Sequence, residues 1–260
     1  MWNSRHLELT SSWKHQNEIM ESHIEGIAVV GGVLQILEAG CGQRWLLNLD
    51  GVQYVLTGVD LDKAALEIRK NVVKDLHEAI EGDLISVRLQ ENHYDVIYCS
   101  YVLEHIQGAE QVLSKFVNWI KPNGIIILLI PDSNSVQGFI SRVTPHWFHV
   151  FHYRFILGNQ NAGKAGYAPY PVHYDRVISR NGIRDFCSRN NLTVLAEYGD
   201  GFNKPGKDIV RLLIHSFKQV VGALSFGLLS GKHNNLLYIL QKPQLPNPAP
   251  QRNGNLSQGN

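Results

Sequence analysis

The chain has 260 residues, 44% of them hydrophobic, and a formal net charge of +1. That length can bury a large core, and near-neutral charge without a Lys/Arg stripe disfavours a nucleic-acid substrate. No run reaches the ~18 uninterrupted apolar residues of a membrane span.

Cys41, Cys99 and Cys187 are far apart and unpaired in spacing, which suggests neither a disulfide framework nor a zinc site. With Arg5, His6 and Glu8 interrupting any N-terminal apolar run, the expected location is cytoplasmic.

Residues 1–32 read as an N-terminal helical cap. Trp13, Ile19, His23, Ile24 and Ile27 recur near helical spacing, predicting a helix over 13–30 that Gly31-Gly32 ends. From Val33 the chain alternates strand and helix, as a parallel sheet requires. Strands are predicted over 35–39, 54–59, 78–82, 95–100 and 124–130, with helices over 63–71 and 109–119, the first of them N-capped by Asp62. A stretch over 131–180, rich in aromatic and His residues with Pro145, Pro169 and Pro171, then interrupts the alternation. It falls at the carboxyl end of the 124–130 strand, where open α/β sheets bind ligands, and is expected to form an acceptor lid.

A helix over 179–190 and strands over 192–198 and 236–241 complete the domain at residue 242. Between those strands, 199–235 forms a second insertion whose amphipathic stretch over 209–229 packs on the domain or makes a peripheral membrane or protein contact. Residues 243–260, dominated by Pro, Gln, Asn and Gly, are expected to be a disordered tail. The fold class predicted is α/β: a Rossmann-like, mostly parallel seven-stranded sheet with helices on both faces, in a single domain with two insertions.

The richest signal is the run Ile36-Leu37-Glu38-Ala39-Gly40-Cys41-Gly42, followed by Thr57-Gly58-Val59-Asp60. Glycines at 40 and 42 allow a sharp turn off the strand and let a ligand lie against bare backbone. Asp60, ending the next strand, can accept hydrogen bonds from both hydroxyls of a ribose. Two cofactor types fit, a nicotinamide or flavin dinucleotide and S-adenosylmethionine. The dinucleotide fingerprint needs a small third residue where this chain has Trp45.

The Glu38-x-Gly40-x-Gly42 pattern resembles motif I of the class I S-adenosylmethionine-dependent methyltransferases, of the type 11/12 kind, with Asp60 matching their ribose-binding acid. Glu81-Gly82-Asp83 is similar to the segment whose acid contacts adenine. Tyr94 to Ser100 followed by Tyr101-Val102-Leu103-Glu104-His105-Ile106 resembles the strand and "vLEH" segment of that family, and Ile120-Lys121-Pro122-Asn123-Gly124 its "LKPGG" turn. One departure is Arg44, where the family often has a further glycine. The resemblance implies S-adenosyl-L-methionine as cofactor, held by Glu38, Gly40, Cys41, Gly42, Asp60, Leu61, Asp83 and Ser100.

Methyl transfer from a sulfonium requires mainly that the acceptor atom be held near the methyl and water excluded. A base helps where the acceptor carries a proton. Candidates for the base are His105, His146 and His149, with His152, His173 and Tyr170 nearby in sequence. Trp147, His149, Tyr153, His173 and Tyr174 are candidate acceptor contacts, for a small molecule or a glycan unit moved to through an O or N atom. The three-residue His spacing over 146–152 also raises a metal, but no acidic residue lies within the segment, and no metal site is assigned. Two other functions remain open: a nicotinamide-dependent oxidoreductase, against which Trp45 and the lack of a Tyr-x-x-x-Lys pair speak, and a non-catalytic S-adenosylmethionine-binding scaffold.

Overall fold

The computed structural model describes residues 7–151, 154–155, 158–163, 170–173, 175–200, 209–226 and 228–244. The tail beyond 244 lies outside them. An eight-stranded sheet runs in the order β1-β7-β8-β6-β5-β2-β3-β4. Its strands are β1 (Glu8–Thr10), β2 (Leu34–Ala39), β3 (Tyr54–Asp60), β4 (Glu78–Glu81), β5 (Tyr94–Ser100), β6 (Ile120–Pro131), β7 (Thr193–Asp200) and β8 (Asn235–Gln241). Only β8 runs antiparallel to its neighbours. The seven predicted strands are all present, and β1, a short edge strand that pairs in parallel with β7, adds an eighth.

The helices are α1 (Trp13–Ile27), α2 (Lys63–Glu67), α3 (Ala109–Trp119), α4 (Val136–Val143), α5 (His146–Phe151), α6 (Arg180–Arg189) and α7 (Ile209–Leu224). The central strands are apolar on both faces, and every residue of Ile125 to Ile130 is buried, as a sheet covered on both sides demands. One face packs against α3 and α6 through Val112, Phe116, Ile183 and Phe186. The other packs against α1 through Met20 and Ile24.

Three expectations are corrected. α1 ends at Ile27, not at the glycines, because Ala28 is already extended. The strand–helix alternation fails at the first crossover: no helix lies between β2 and β3, and α1 covers that face instead, with Leu47 and Leu49 of the connection filling in beneath it. The Lys121-to-Gly124 turn is absorbed into β6, where the register against β5 jumps between Tyr94 and Val96. Asp95 stabilises this irregularity, accepting hydrogen bonds from Lys121 Nζ and from the Gln35 amide, 2.8 Å away.

Candidate functional site

Chain order reverses between β2 and β5, so their carboxyl ends open the crevice where open α/β sheets take ligands. Gly40 turns off β2 with φ +73°, and a Cβ there would lie 2.3 Å from Val102 Cγ2. The position therefore demands glycine twice over, by conformation and by contact. Gly42 also has positive φ, +52°, but nothing lies within 4 Å of where its Cβ would be.

Asp60 organises the loop. Its Oδ2 accepts from the Gly42 amide at 2.8 Å and its Oδ1 from the Asp62 amide at 2.8 Å. The Asp60 carbonyl accepts from the Gly82 amide at 3.0 Å, which ties the exit of β4 to that of β3. Asp83 turns the chain there, its Oδ1 accepting from the Ile85 amide at 2.9 Å. Leu61 is exposed at the crevice edge.

Glu38, at the end of β2, is buried, and its partner is a residue the sequence did not single out. Arg69, fully buried, donates from Nη2 to Glu38 Oε2 at 2.8 Å, from Nη1 to the Cys41 carbonyl at 2.8 Å and from Nε to Asp75 Oδ1 at 2.7 Å. The predicted helix over 63–71 loosens after Glu67 into a π-helical turn, Ile68–Val73, closed by Lys74 in the left-handed region. That wide turn points Arg69 inward and brings Asp75 back to meet it. Burial pushes the Glu38 carboxyl up to about 8 against the pull of Arg69. The buried Cys41 thiol is likewise pushed up, to about 12, and stays protonated.

Above the crevice lies α1. Trp13 meets the Tyr101 ring edge-on at 6.3 Å, Asn17 Nδ2 donates to the Leu46 carbonyl and Glu21 accepts from the Asn48 amide. Beneath this helix several buried polar atoms have no hydrogen-bond partner: both amide atoms of Gln16, Trp45 Nε1 and the hydroxyls of Tyr98 and Tyr101. Native proteins rarely leave such groups unpaired unless a ligand or water completes them. A bound molecule with an ammonium and a carboxylate suits this mixture of donors and acceptors beside Glu38. The loop also lacks the helix N-terminus that a dinucleotide's pyrophosphate needs, since no helix follows β2 before β3.

Across the crevice, Ser100 ends β5 half-buried, and Tyr101 turns away from it with φ +55°. A 3-10 turn, Leu103–His105, follows. Glu104 is buried with its Oε2 unpartnered, and burial pushes its carboxyl up to about 7. His105 Nδ1 lies 2.8 Å from the Pro171 carbonyl, and its Nε2 lies 3.9 Å from Glu104 Oε1. A carbonyl can only accept, so Nδ1 carries the proton and Nε2 keeps its lone pair. Burial lowers the His105 pKa from its ordinary value, favouring that neutral form.

Residues 170–173 and 175 are fastened to this turn. The His173 amide donates to the Glu104 carbonyl, and Asp175 Oδ2 accepts from the Gly108 and Ala109 amides at 2.8 and 2.7 Å. Asp175 thereby caps α3, whose own N-cap, Gly108, has no side chain to do so.

Comparisons with known proteins agree with this geometry. A family model described as a methyltransferase domain matches residues 15–197. The chain belongs to this methyltransferase family. It is 32% identical over 184 residues to ubiquinone biosynthesis O-methyltransferase of Rickettsia prowazekii, covering 65% of this chain and 63% of that protein. To the Pasteurella multocida protein of the same name it is 25% identical over 184 residues, covering 65% and 69%. The match to the one from Rickettsia typhi covers only 40% of that relative's length. Among solved structures, a candidate sarcosine dimethylglycine methyltransferase from Galdieria sulphuraria superposes with TM-score 0.56 at 13% identity, over 95% of each chain. A candidate S-adenosylmethionine dependent methyltransferase from Listeria monocytogenes gives 0.55 at 12% identity, over 88% of this chain and 99% of that one. At such identities these two speak for the fold.

In this methyltransferase Glu38, Gly40, Cys41, Gly42, Asp60, Leu61, Asp83 and Ser100 line up along the carboxyl edge of four adjacent strands, β4 through β5. His105 and His173 meet at the docked segment, whereas Trp147, on α5, is 68% exposed. His146 and His149 belong to α5, but their side chains lie outside what the structure describes, as do Tyr153 and Tyr174 altogether. Sequence reasoning missed Arg69 because an arginine inside an amphipathic helix reads as solvated. The one available signal was Glu38 itself, an acid ending a buried strand and needing a partner.

A cavity of about 290 Å³ opens elsewhere, lined by Leu7, Asp132, Arg180, Leu228 and Lys232 among others, and by none of the predicted site residues.

Proposed function

We propose that this chain transfers a methyl group to a hydroxyl oxygen of a small molecule, with His105 as the base. The observation that carries the reading is the tautomer of His105: Nδ1–H is spent on the Pro171 carbonyl, leaving Nε2 as a proton acceptor beside Glu104. The O-methyltransferase activity in the names of the relatives supports an oxygen acceptor.

When bound, S-adenosylmethionine supplies a methyl group already activated on sulfur. Everything else falls to the protein. Gly40, Cys41 and Gly42 present backbone to the cofactor, Asp60 and Leu61 border its ribose, and Asp83 its adenine. Glu38, held in place by Arg69, and the unpartnered atoms under α1 receive its amino-acid end, while Ser100 lines the floor. α1 acts as a cap that keeps water from that end, and 131–180 as the lid over the acceptor. His105 Nε2 takes the hydroxyl proton as the oxygen attacks, and the fraction of Glu104 that is ionised, 3.9 Å away, favours the resulting imidazolium. General-base help of this kind contributes roughly 10²–10⁴ in rate.

The test is methyl incorporation from labelled S-adenosylmethionine into a small-molecule extract, with Asp60→Ala and His105→Asn beside the wild type and the product's methylated atom read by mass spectrometry. Methylation on oxygen that collapses in both variants supports the reading. Methylation on nitrogen, or undiminished activity of His105→Asn, overturns it. Calorimetry with NADH and S-adenosylmethionine separates the oxidoreductase alternative.

A further inference from the structure

The second half of helix α7 turns two polar side chains inward and sets apolar ones outward. Lys218 Nζ donates to Asn234 Oδ1 at 3.4 Å and Gln219 Nε2 to the Gly231 carbonyl at 3.2 Å. Its apolar ones face out, with Phe217 57%, Val220 55% and Leu224 71% exposed at the spacing of a single helical face. Just beyond the helix Phe226 and Leu228 are exposed as well. α4 packs against α7 and adds exposed Val143. Isolated exposed apolar residues need no explanation, but an outward stripe reinforced by neighbouring elements marks a contact surface.

The charge pattern of the same segments identifies the contact. Between residues 133 and 174, and again between 209 and 235, the sequence contains no aspartate or glutamate, while it has Arg142, Arg154, Lys164, Arg211, Lys218 and Lys232. All 23 acidic residues lie elsewhere, so these two segments are net basic in a chain whose overall charge is only +1. Arg142 and Lys232 are exposed at this face, and Lys232 also lies on the wall of the cavity that Leu228 borders. Exposed apolar side chains on segments that carry basic residues and no acidic ones match a bilayer surface bearing anionic headgroups. No helix among the described residues is long and apolar enough to cross a membrane, which fits lying on the surface.

We propose that the face built from α4 and α7 docks the protein onto an anionic phospholipid bilayer, with Phe217, Val220 and Leu224 entering the interface. Docking there sets the proposed acceptor lid, 131–180, against the lipid.

The experiment is co-sedimentation of the full chain with vesicles of phosphatidylcholine alone and with about a quarter phosphatidylglycerol added, at low and high salt. Binding to the anionic vesicles only, released by salt, and reduced about tenfold in Phe217→Asp/Leu224→Asp, supports the proposal. Calorimetric S-adenosylmethionine binding by each variant verifies that it is folded. Should the double variant not fold, Arg142→Glu/Lys232→Glu provides the same readout. Absence of vesicle binding, equal binding to both vesicle types, or a dimer in solution that the double variant dissolves would overturn it. The vesicle arms contain no acceptor, so they stand or fall independently of the proposed methylation.

Discussion

Glu38 Oε2 and Arg69 Nη2 meet at 2.8 Å in the interior, the carboxylate at the end of β2 and the guanidinium on the π-helical turn after α2. The pair sits directly behind the glycine loop, because the same guanidinium also holds the Cys41 carbonyl. Loop shape and the position of the buried acid are thus set by one side chain.

Replacing Arg69 by methionine leaves Glu38 and Asp75 without their cation. Breaking one side of a buried ion pair costs about 3–5 kcal/mol, and a urea titration is expected to show a loss of that size. Arg69→Lys restores little, since a single ammonium cannot span three acceptors placed for a planar fork.

The two loop glycines are expected to separate. Gly42→Ala meets open space and incurs only the left-handed penalty, about 1–2 kcal/mol. Gly40→Ala incurs that penalty and also collides with Val102, so β2 and β5 must move apart. Calorimetry should find S-adenosylmethionine binding weakened in the first and abolished in the second.

Asp60→Asn removes the charge from two hydrogen bonds to backbone amides, Gly42 and Asp62. Charged hydrogen bonds are worth about 1.5–3 kcal/mol, so a rise of about ten- to hundredfold in the Kd for S-adenosylmethionine is expected by calorimetry. An unchanged Kd would remove Asp60 from the cofactor site.

Glu104 predicts a pH dependence of stability with a definite sign. Its carboxyl is raised from 4.5 to about 7 in the folded chain by burial, so the folded protein keeps a proton that the unfolded chain has released. The stability this contributes is complete below pH 4.5 and is lost as pH climbs to about 7. At about 1.4 kcal/mol per pH unit, the loss is on the order of 3 kcal/mol. Urea midpoints for wild type and Glu104→Gln across that window measure it, and the variant's curve should be flatter by that amount.

His105→Asn is expected to lower kcat by roughly 10²–10⁴ with the Kd for S-adenosylmethionine unchanged. In the wild type, kcat should fall on the acid side of the ordinary imidazole value, because burial lowers the His105 pKa and protonation removes the Nε2 lone pair. A kcat profile flat through that range excludes His105 as the base.

What the sequence determined by itself was local in origin. Strand periodicity, the Gly40-x-Gly42 turn, the acids at 38, 60 and 83 and the N-cap at Asp62 depend on near neighbours along the chain, and each is found in place. The tertiary structure decided what depends on distance. α1, rather than a crossover helix, covers the face beside the loop because Met20 and Ile24 complete a cluster with strands far along the chain. Arg69 is interior only because Glu38, Cys41 and Asp75 converge on it. Asp175 caps a helix that begins 66 residues before it, and Lys218 and Gln219 of α7 turn inward to meet Asn234 and Gly231. Partners brought together by folding leave no periodic mark in a sequence, since their pairing is enforced by burial and hydrogen bonding across the fold rather than by spacing along the chain.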